Sequence, residues 1–400
     1  MMKYIFKMKN KIQPYAWGST DFIPNLLGSV QTDQPQAEMW MGAHPKASST
    51  IIDRENEITL LNFIEANKRE LLGEKMGVQY GGRLPFLLKI LSAAKPLSIQ
   101  VHPNKKQAEM GFAKDNENKI NLLAFNRRYK DDNHKPELIC ALTEFDAMCG
   151  FQPVEAIKER FENLNVLADI SQEFCHQPNS ETFKKMFIKL MNLSTLEKSA
   201  LVNDVLSKIN NPRSENEQLI FDWIYKLNEE YPGDIGVLSP LYLNVIRLQP
   251  GEALYLDAGV MHAYLKGTGI EIMANSDNVL RGGLTPKFID LPELQKIIVF
   301  ENKVIKKVEI RANAQEDIYR TIASEFELSR INLKSSFSVN SIDSPEIILC
   351  TKGSAKLIAE QEIELKAGES VFIGFGCKEY NLLGTGEFFR AKVPGKDIMK

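Results

Sequence analysis

Residues 251–271 read GEALYLDAGVMHAYLKGTGIE and residues 368–388 read GESVFIGFGCKEYNLLGTGEF. Set side by side without a gap, they match Gly251 with Gly368, Glu252 with Glu369, Gly259 with Gly376 and GTG with GTG. One supersecondary unit therefore occurs twice. A glycine turn, a buried strand, a second glycine turn and a further strand form the hairpin grammar of double-sheet jelly rolls, whose turn glycines take positive φ. Turn chemistry also repeats among unrelated hairpins, so chance agreement is the competing explanation. The copies differ where chemistry would sit. His262 in the first faces Glu379 in the second, and no histidine follows His262 in the chain. If one unit binds a metal through imidazole, it is the first, and the second is expected to be structural, a lid or an interface.

Upstream, residues 1–150 hold short β-like runs and turns, among them PYAWGS, EMWMGAHPKASSTII, PFLLKIL, LSIQVHP and PELICAL. From about Val154 to Asn228 the character changes. VEAIKERFENL, ETFKKMFIKLMNL, LEKSALVNDVLSKI and EQLIFDWIYKLNEEY carry apolar residues at three- and four-residue intervals and predict amphipathic helices. The lysines of FKKMFIKLM read as a solvated helix face. After YPGDIGVLSP, strands return in LYLNVIRL, EALYLDAG and KVIKKVEI. The expected fold is mainly β with an α insertion. Residues 1–150 and 235–310 would form the first β domain, 151–234 a helical insertion and 311–400 a C-terminal β domain without a metal site.

The 400 residues are 44% hydrophobic and 25% charged with a net charge of −3, so no global basic field invites nucleic acid or an anionic membrane. A small molecule is the expected partner. Five cysteines, at 140, 149, 175, 350 and 377, lack the spacing of a disulfide framework and suit a reducing compartment. Lys7, Lys9 and Lys11 interrupt any signal-like apolar core, and no segment reaches the roughly 18 apolar residues of a membrane span. The expectation is a cytoplasmic protein.

There are five histidines. His176 lies in helical text and reads as a surface residue, and His44 and His134 sit in turn-like text. In LSIQVHPNK, residues 97–105, alternation puts Gln100 and His102 on one face, opposite Ile99 and Val101. His262 follows LDAGVM as a residue at the mouth of a β unit would. A catalytic divalent ion such as zinc needs three or four nitrogen or oxygen ligands with one position open. Gln100, His102, the strand-opening carboxylate Glu137 and His262 are the set proposed. One carboxylate against a divalent cation leaves roughly one positive charge, which suits an oxygen-rich substrate.

PYAWGS, AEMWMGAHPKASS, PFLLKILSAAKPLSIQVHPNK, GFAKDN, YKDDNHKPEL and MANSDNVLRGGLTPKFID resemble the zinc-dependent, type I mannose-6-phosphate isomerases, also called phosphomannose isomerases. The resemblance extends over essentially the whole chain. It implies two cupin-like jelly-roll barrels plus a helical domain, and one Zn2+ per chain on the Gln and His of IQVHP, the Glu of HKPE and the His before AY, which are Gln100, His102, Glu137 and His262. It also implies reversible interconversion of mannose 6-phosphate and fructose 6-phosphate, in mannose metabolism and the supply of GDP-mannose precursors.

That reaction removes a proton from C2 and returns one to C1 through a cis-enediol or enediolate, whose oxygen charge a Lewis acid offsets. Arg281, in NVLRGGLTPK, corresponds to the family's active-site arginine. A guanidinium is a poor base, so Arg281 is expected to stabilise the enediolate, with Glu271 and Lys135 as the alternative proton-transfer groups. Lys89, Ser98, Lys135 and Arg281 are candidates to hold the phosphate, and no glycine-rich nucleotide loop competes with that assignment. Asp277 and Asn275 would order the loop carrying Arg281. Tyr264, on the face of His262, is the expected pocket aromatic, while Tyr15, Trp17 and Trp40 read as core. A monomer is expected, with an oligomer left open. The rival classes are an iron oxygenase on the same two-histidine, one-carboxylate set and a non-catalytic sugar-phosphate-binding β-barrel.

Overall fold

A computed structural model of the chain describes residues 3–30, 33–53, 56–302, 304–313 and 315–395. They are mostly β, in two sheets with a helical insertion. One sheet is organised by a single 13-residue strand, His262–Ala274. Its first half pairs with Phe145–Phe151 and meets Ile99–Val101, and its second half pairs with Phe86–Ala93 and Glu137–Ala141. The register shifts between Tyr264 and Lys266, and Gly267 follows at φ +123°. A Cβ at Gly267 would lie 2.5 Å from the Glu144 carbonyl oxygen, so only glycine lets the strand bend from one set of partners to the other.

The matched second copy is built alike. Ser370–Ile373 answers Ala253–Leu256, and Tyr380–Lys392 answers the long strand, pairing with Glu327–Leu333, Ser336–Val339 and Glu346–Ile358. Gly384 and Gly386 take φ +153° and +151° against neighbouring backbone. This sheet also takes in strands from the start of the chain. Ile5–Lys9 pairs with Ser370–Ile373 on one side and Thr50–Asp53 on the other. One apolar core, including Leu88, Leu138, Ile270, Ile347 and Phe372, spans strands of both sheets. KVIKKVEI differs from the sequence expectation. Residues 304–309 form no strand, because the Val308 N–H bond to the Ala253 carbonyl is not extended into a ladder, and a short strand begins only at Ile310.

Between the strands, helices Val154–Leu164, Ser180–Asn192, Thr195–Lys208 and Glu215–Glu230 form where the periodicity predicts, and Ala168–His176 adds one that it did not single out. Asn179, Ser194 and Ser214 cap three of them by accepting backbone N–H bonds. YPGDIGVLSP returns the chain through a 3-10 helix, Ile235–Leu241. Phe161, Phe174, Phe183, Phe187 and Trp223 form the helical core, and Ile99 and Val101 are buried in the same cluster. The strand that carries Gln100 thus has its aliphatic face in the helical layer, which turns Gln100 to the other side. Trp223 Nε1 donates to Asp146 at 3.2 Å, and Arg247 grips the same carboxylate at 2.7 and 2.9 Å, tying the insertion to the sheet.

Phe183 is fully buried where the helical rings meet the Phe151 ring of the sheet, 4.9 Å away between centroids. Phe183→Ala should cost about 3–5 kcal/mol in urea unfolding. A loss below about 1 kcal/mol would show that this junction does not secure the insertion.

Candidate metal centre and active site

Alternation builds the site. On the sheet centred on His262–Ala274, Leu88, Ile90, Leu138, Cys140, Ile270 and Ile272 face the shared apolar core. The intervening positions, Trp40, Lys89, Glu271 and Glu137, face the opposite way, with Lys89 in register with both Trp40 and Glu271. A row of polar side chains therefore crosses one face of a sheet whose other face is aliphatic.

At one end of the row, His102, Glu137 and His262 converge. All three are buried, and one ligand atom from each lies within 4.8 Å of the others. Glu137 Oε1 is 3.4 Å from His102 Nε2, and Oε2 is 3.3 Å from His262 Nε2. Each ring donates its Nδ1–H to a backbone carbonyl, His102 to Asn278 at 2.7 Å and His262 to Val260 at 3.0 Å. Both Nε2 lone pairs are thereby aimed at one point. His102 Nε2 is buried with no hydrogen-bond partner among the described residues. Burial pushes the His102 imidazole down to about 4 against the opposing pull of Glu137, so it is neutral near pH 7. Burial disfavours the Glu137 carboxylate, but Lys135, 2.7 Å away, and the two imidazoles outweigh it and hold the carboxyl well below its usual range. Two imidazoles and a carboxylate, all buried, are a donor set fit for a divalent cation. Gln100 is in register with His262 on one side and Arg281 on the other, beside this trio.

Comparison with known proteins gives the same answer along the whole chain. The phosphomannose isomerase type I catalytic domain matches residues 5–154, its helical insertion domain residues 158–243, and the mannose-6-phosphate isomerase cupin domain residues 317–393. Mannose-6-phosphate isomerase of Salmonella typhimurium is 42% identical over 390 residues, covering 96% of this chain and 98% of that protein. The Homo sapiens enzyme of the same name is 35% identical over 92% of this chain and 93% of its own. A zinc-bound holo structure of mannose 6-phosphate isomerase superposes with a TM-score of 0.91 at 41% identity, covering 98% of this chain and all of that one. The chain belongs to the type I phosphomannose isomerase family.

Beyond the trio, this phosphomannose isomerase family member has a second buried charge cluster. Lys89 Nζ lies 2.7 Å from Glu271 and 3.7 Å from Glu38, over the Trp40 ring at 5.1 Å. Glu38 also accepts the Trp40 indole N–H at 2.7 Å. Burial would neutralise Lys89, but Glu271 and Glu38 reverse that and hold its proton more tightly than usual. Burial raises the Glu271 carboxyl, opposed by Lys89 and reinforced by Glu137 and Glu38. Trp40 is buried as expected, yet it floors the polar row rather than serving only as core. Tyr264 is also buried. Its ring is 6.1 Å from His262, and burial with Glu271 and Glu137 keeps its proton on. Ser98 is half-buried ahead of Gln100 on the same parity.

Arg281 is half-buried, and burial lowers its guanidinium from the usual value. Its charge, followed by burial and Lys46, holds the Lys287 ammonium below its ordinary value. Burial, Arg127 and Arg281 act likewise on Lys130, with Asp277 opposing. Lys46, Lys130 and Lys287 are thus cationic neighbours that the motifs alone did not single out. Asp277 lies 3.7 Å from His44 at the same rim, and its N–H donates to Asp131 at 2.7 Å. Asn275 donates to Leu84 and Pro85 carbonyls, which fixes the start of that loop as expected.

The largest omission from sequence reasoning is Asn278. It is fully buried and donates to the Asp131 and Asn133 carbonyls at 2.8 Å each, while accepting the Lys130 N–H at 2.7 Å. Its own carbonyl orients His102. The signal was present in MANSDN, where Asn and Ser crowd a turn beside the site, but nothing local says that they bond a loop some 145 residues away. His176 is exposed as expected, whereas His134 pairs with Glu325 at 2.7 Å.

Asn278→Ala leaves the His102 acceptor in place but unpins the loop that presents it. Metal affinity should fall about 10-fold or more, measured by competition with a chelator. Unchanged affinity would show that the carbonyl is held in place without the side-chain stitching.

Proposed function

We propose that this chain catalyses the reversible isomerisation of D-mannose 6-phosphate and D-fructose 6-phosphate through a cis-enediol(ate). The observation that carries this is a buried imidazole–carboxylate–imidazole trio sharing one sheet face with the Lys89–Glu271 pair, in a chain whose relatives bear the name mannose-6-phosphate isomerase. His102, Glu137, His262 and Gln100 would hold one zinc ion per chain, which when bound supplies a Lewis acid that draws charge off substrate oxygens. Support comes from the tautomers enforced on both rings and from the zinc-bound relative.

This chain's own groups divide the remaining work. Proton transfer between C2 and C1 needs a base whose pKa lies nearer neutrality than an ordinary carboxylate. Glu271 has that tendency, and Lys89 at 2.7 Å balances the charge it takes up or releases. Lys135 remains the alternative, with its ammonium held on Glu137. Arg281 keeps its proton and presents a planar fork beside Gln100, suited to an enediolate or a phosphate oxygen. Lys46, Lys130 and Lys287 extend the cationic rim where a phosphate would sit, with Ser98 a neutral donor and Tyr264 a wall of the pocket. Lys89, engaged by two carboxylates, suits tuning Glu271 better than clamping phosphate. Asp277 is read as ordering the rim through His44 and Asp131.

The fold reading is two cupin-like jelly rolls, with residues 1–150 and 235–310 catalytic, 151–234 helical and 311–400 a C-terminal unit without a metal site. The last point has direct support. Glu137 is in register with Leu256 in the first copy, and Glu346 with Ile373 at the matched place in the second. There Arg390 grips Glu346 at 2.8 and 2.6 Å and Tyr380 donates to it at 2.7 Å, while Glu379, aligned with His262, is exposed. An internal guanidinium stands where a metal would. A monomer is proposed. No helix among the described residues is long and apolar enough to cross a membrane, and a cytoplasmic location is proposed.

Metal analysis should return one zinc per chain, and chelation should abolish fructose 6-phosphate formation in a coupled assay until zinc is restored. His262→Ala should lose both metal and activity. Full activity of stripped protein would overturn the reading. Arg281→Lys keeps the charge without the fork, and its turnover should drop about 100-fold at normal zinc content. Wild-type turnover there would remove Arg281 from the mechanism.

A further inference from the structure

The segment that carries Lys135 and Glu137 is held on two sides. On one side are the His102 loop and the long strand. Asn278 and Ser276 donate to the Asn133 carbonyl at 2.8 and 3.1 Å, Asn133 Nδ2 donates to the Asn275 carbonyl at 3.2 Å, and the Ala274 N–H donates to the Pro136 carbonyl at 3.1 Å. On the other side, among the described residues, is a single polar contact from the C-terminal β unit. His134 Nε2 donates to Glu325 Oε1 at 2.7 Å.

Glu325 is 7% exposed, and its second oxygen, Oε2, is buried without a hydrogen-bond partner among the described residues. A buried carboxylate satisfied on one oxygen costs stability, so folding alone is a poor reason to keep it. Its neighbours leave it little freedom. Phe326 is fully buried in the core shared by the two sheets, and the Ser324 carbonyl accepts the Tyr80 hydroxyl at 2.5 Å. Burial disfavours the charged form, yet His134, helped by Ser324 and the Glu325 backbone, outweighs it and keeps the carboxyl below its usual range. The acceptor is therefore held in place with Oε1 on His134.

We propose that Glu325 is a positioning residue of the active site: through His134 it sets the Lys135–Glu137 arm, so the C-terminal unit takes part in catalysis without touching substrate. This rests on the isomerase reading above. Lys135 is adjacent to His134 in the chain, and its ammonium is bonded to Glu137, so a displaced His134 backbone moves both the cation and the ligand. Misplacements of about 1 Å at reacting groups cost up to about 100-fold in rate.

The test compares zinc-loaded wild type with Glu325→Ala, Glu325→Gln, His134→Ala and the His134→Ala/Glu325→Ala double variant. Turnover is assayed per bound zinc, together with the rate at which a chelator strips the metal. Glu325→Ala and His134→Ala should each lower kcat about tenfold, with KM within about threefold of wild type, and each should speed zinc release. Glu325→Gln keeps an acceptor oxygen and should retain most of the rate. The double variant should lose no more than the worse single one. If kcat and zinc release match wild type while only Tm falls, the contact is structural and the proposal fails. Additive losses overturn it as well. Should Glu325→Ala not fold, Glu325→Gln and His134→Ala carry the same comparison. Zinc release needs no turnover, so it remains decisive even if wild type proves inactive on mannose 6-phosphate, which would sink the isomerase reading instead.

Discussion

The Glu137 carboxylate, wedged between two imidazole nitrogens and a lysine ammonium inside a sheet face, is the constraint around which the rest is arranged. A buried anion is tolerated only when cations or donors surround it, and Lys135 supplies the ammonium here. Everything nearby works to keep the three groups pointed inward. Backbone carbonyls at Asn278 and Val260 lock the rings, Lys135 holds the carboxylate, and the aliphatic backs of the strands press into apolar cores.

The same logic runs along the polar row. Lys89 would not stay charged inside a sheet without Glu271 and Glu38, and Glu271 would not sit above its ordinary pKa without burial and the neighbouring carboxylates. With Glu137 there is one more carboxylate than ammonium in the row before any metal is counted. A divalent cation reverses that sign. The row then favours an anionic, oxygen-rich substrate, with Arg281 and three lysines at its rim.

The C-terminal unit resembles the first in strand arrangement but differs in what surrounds its buried carboxylate. At the matched position Glu346 is again a buried carboxylate on the same strand register, but Arg390 and Tyr380 satisfy it from within. The first copy sets its carboxylate among two imidazoles that could hold a metal ion with it, and the other pairs its carboxylate with a guanidinium. The two units are joined by a common apolar core, by the Tyr319 hydroxyl donating to the Gly251 carbonyl, and by the His134–Glu325 pair.

Sequence by itself determined the elements whose signals are local. Alternation in LSIQVHP separated Gln100 and His102 from Ile99 and Val101, helical periodicity marked the insertion, and the glycine-matched repeat located both long strands. The motifs then pointed to Gln100, His102, Glu137 and His262 as ligand candidates, and His102, Glu137 and His262 converge in space. Tertiary structure alone decided what those residues meet. Asn278 acts on a loop far away in sequence, Ile5–Lys9 joins a sheet built mainly from the other end of the chain, Lys89 answers Glu271 across a strand pair, and Arg390 neutralises Glu346. Hydrogen bonds and ion pairs depend on distance in space, and no pattern in one dimension carries it.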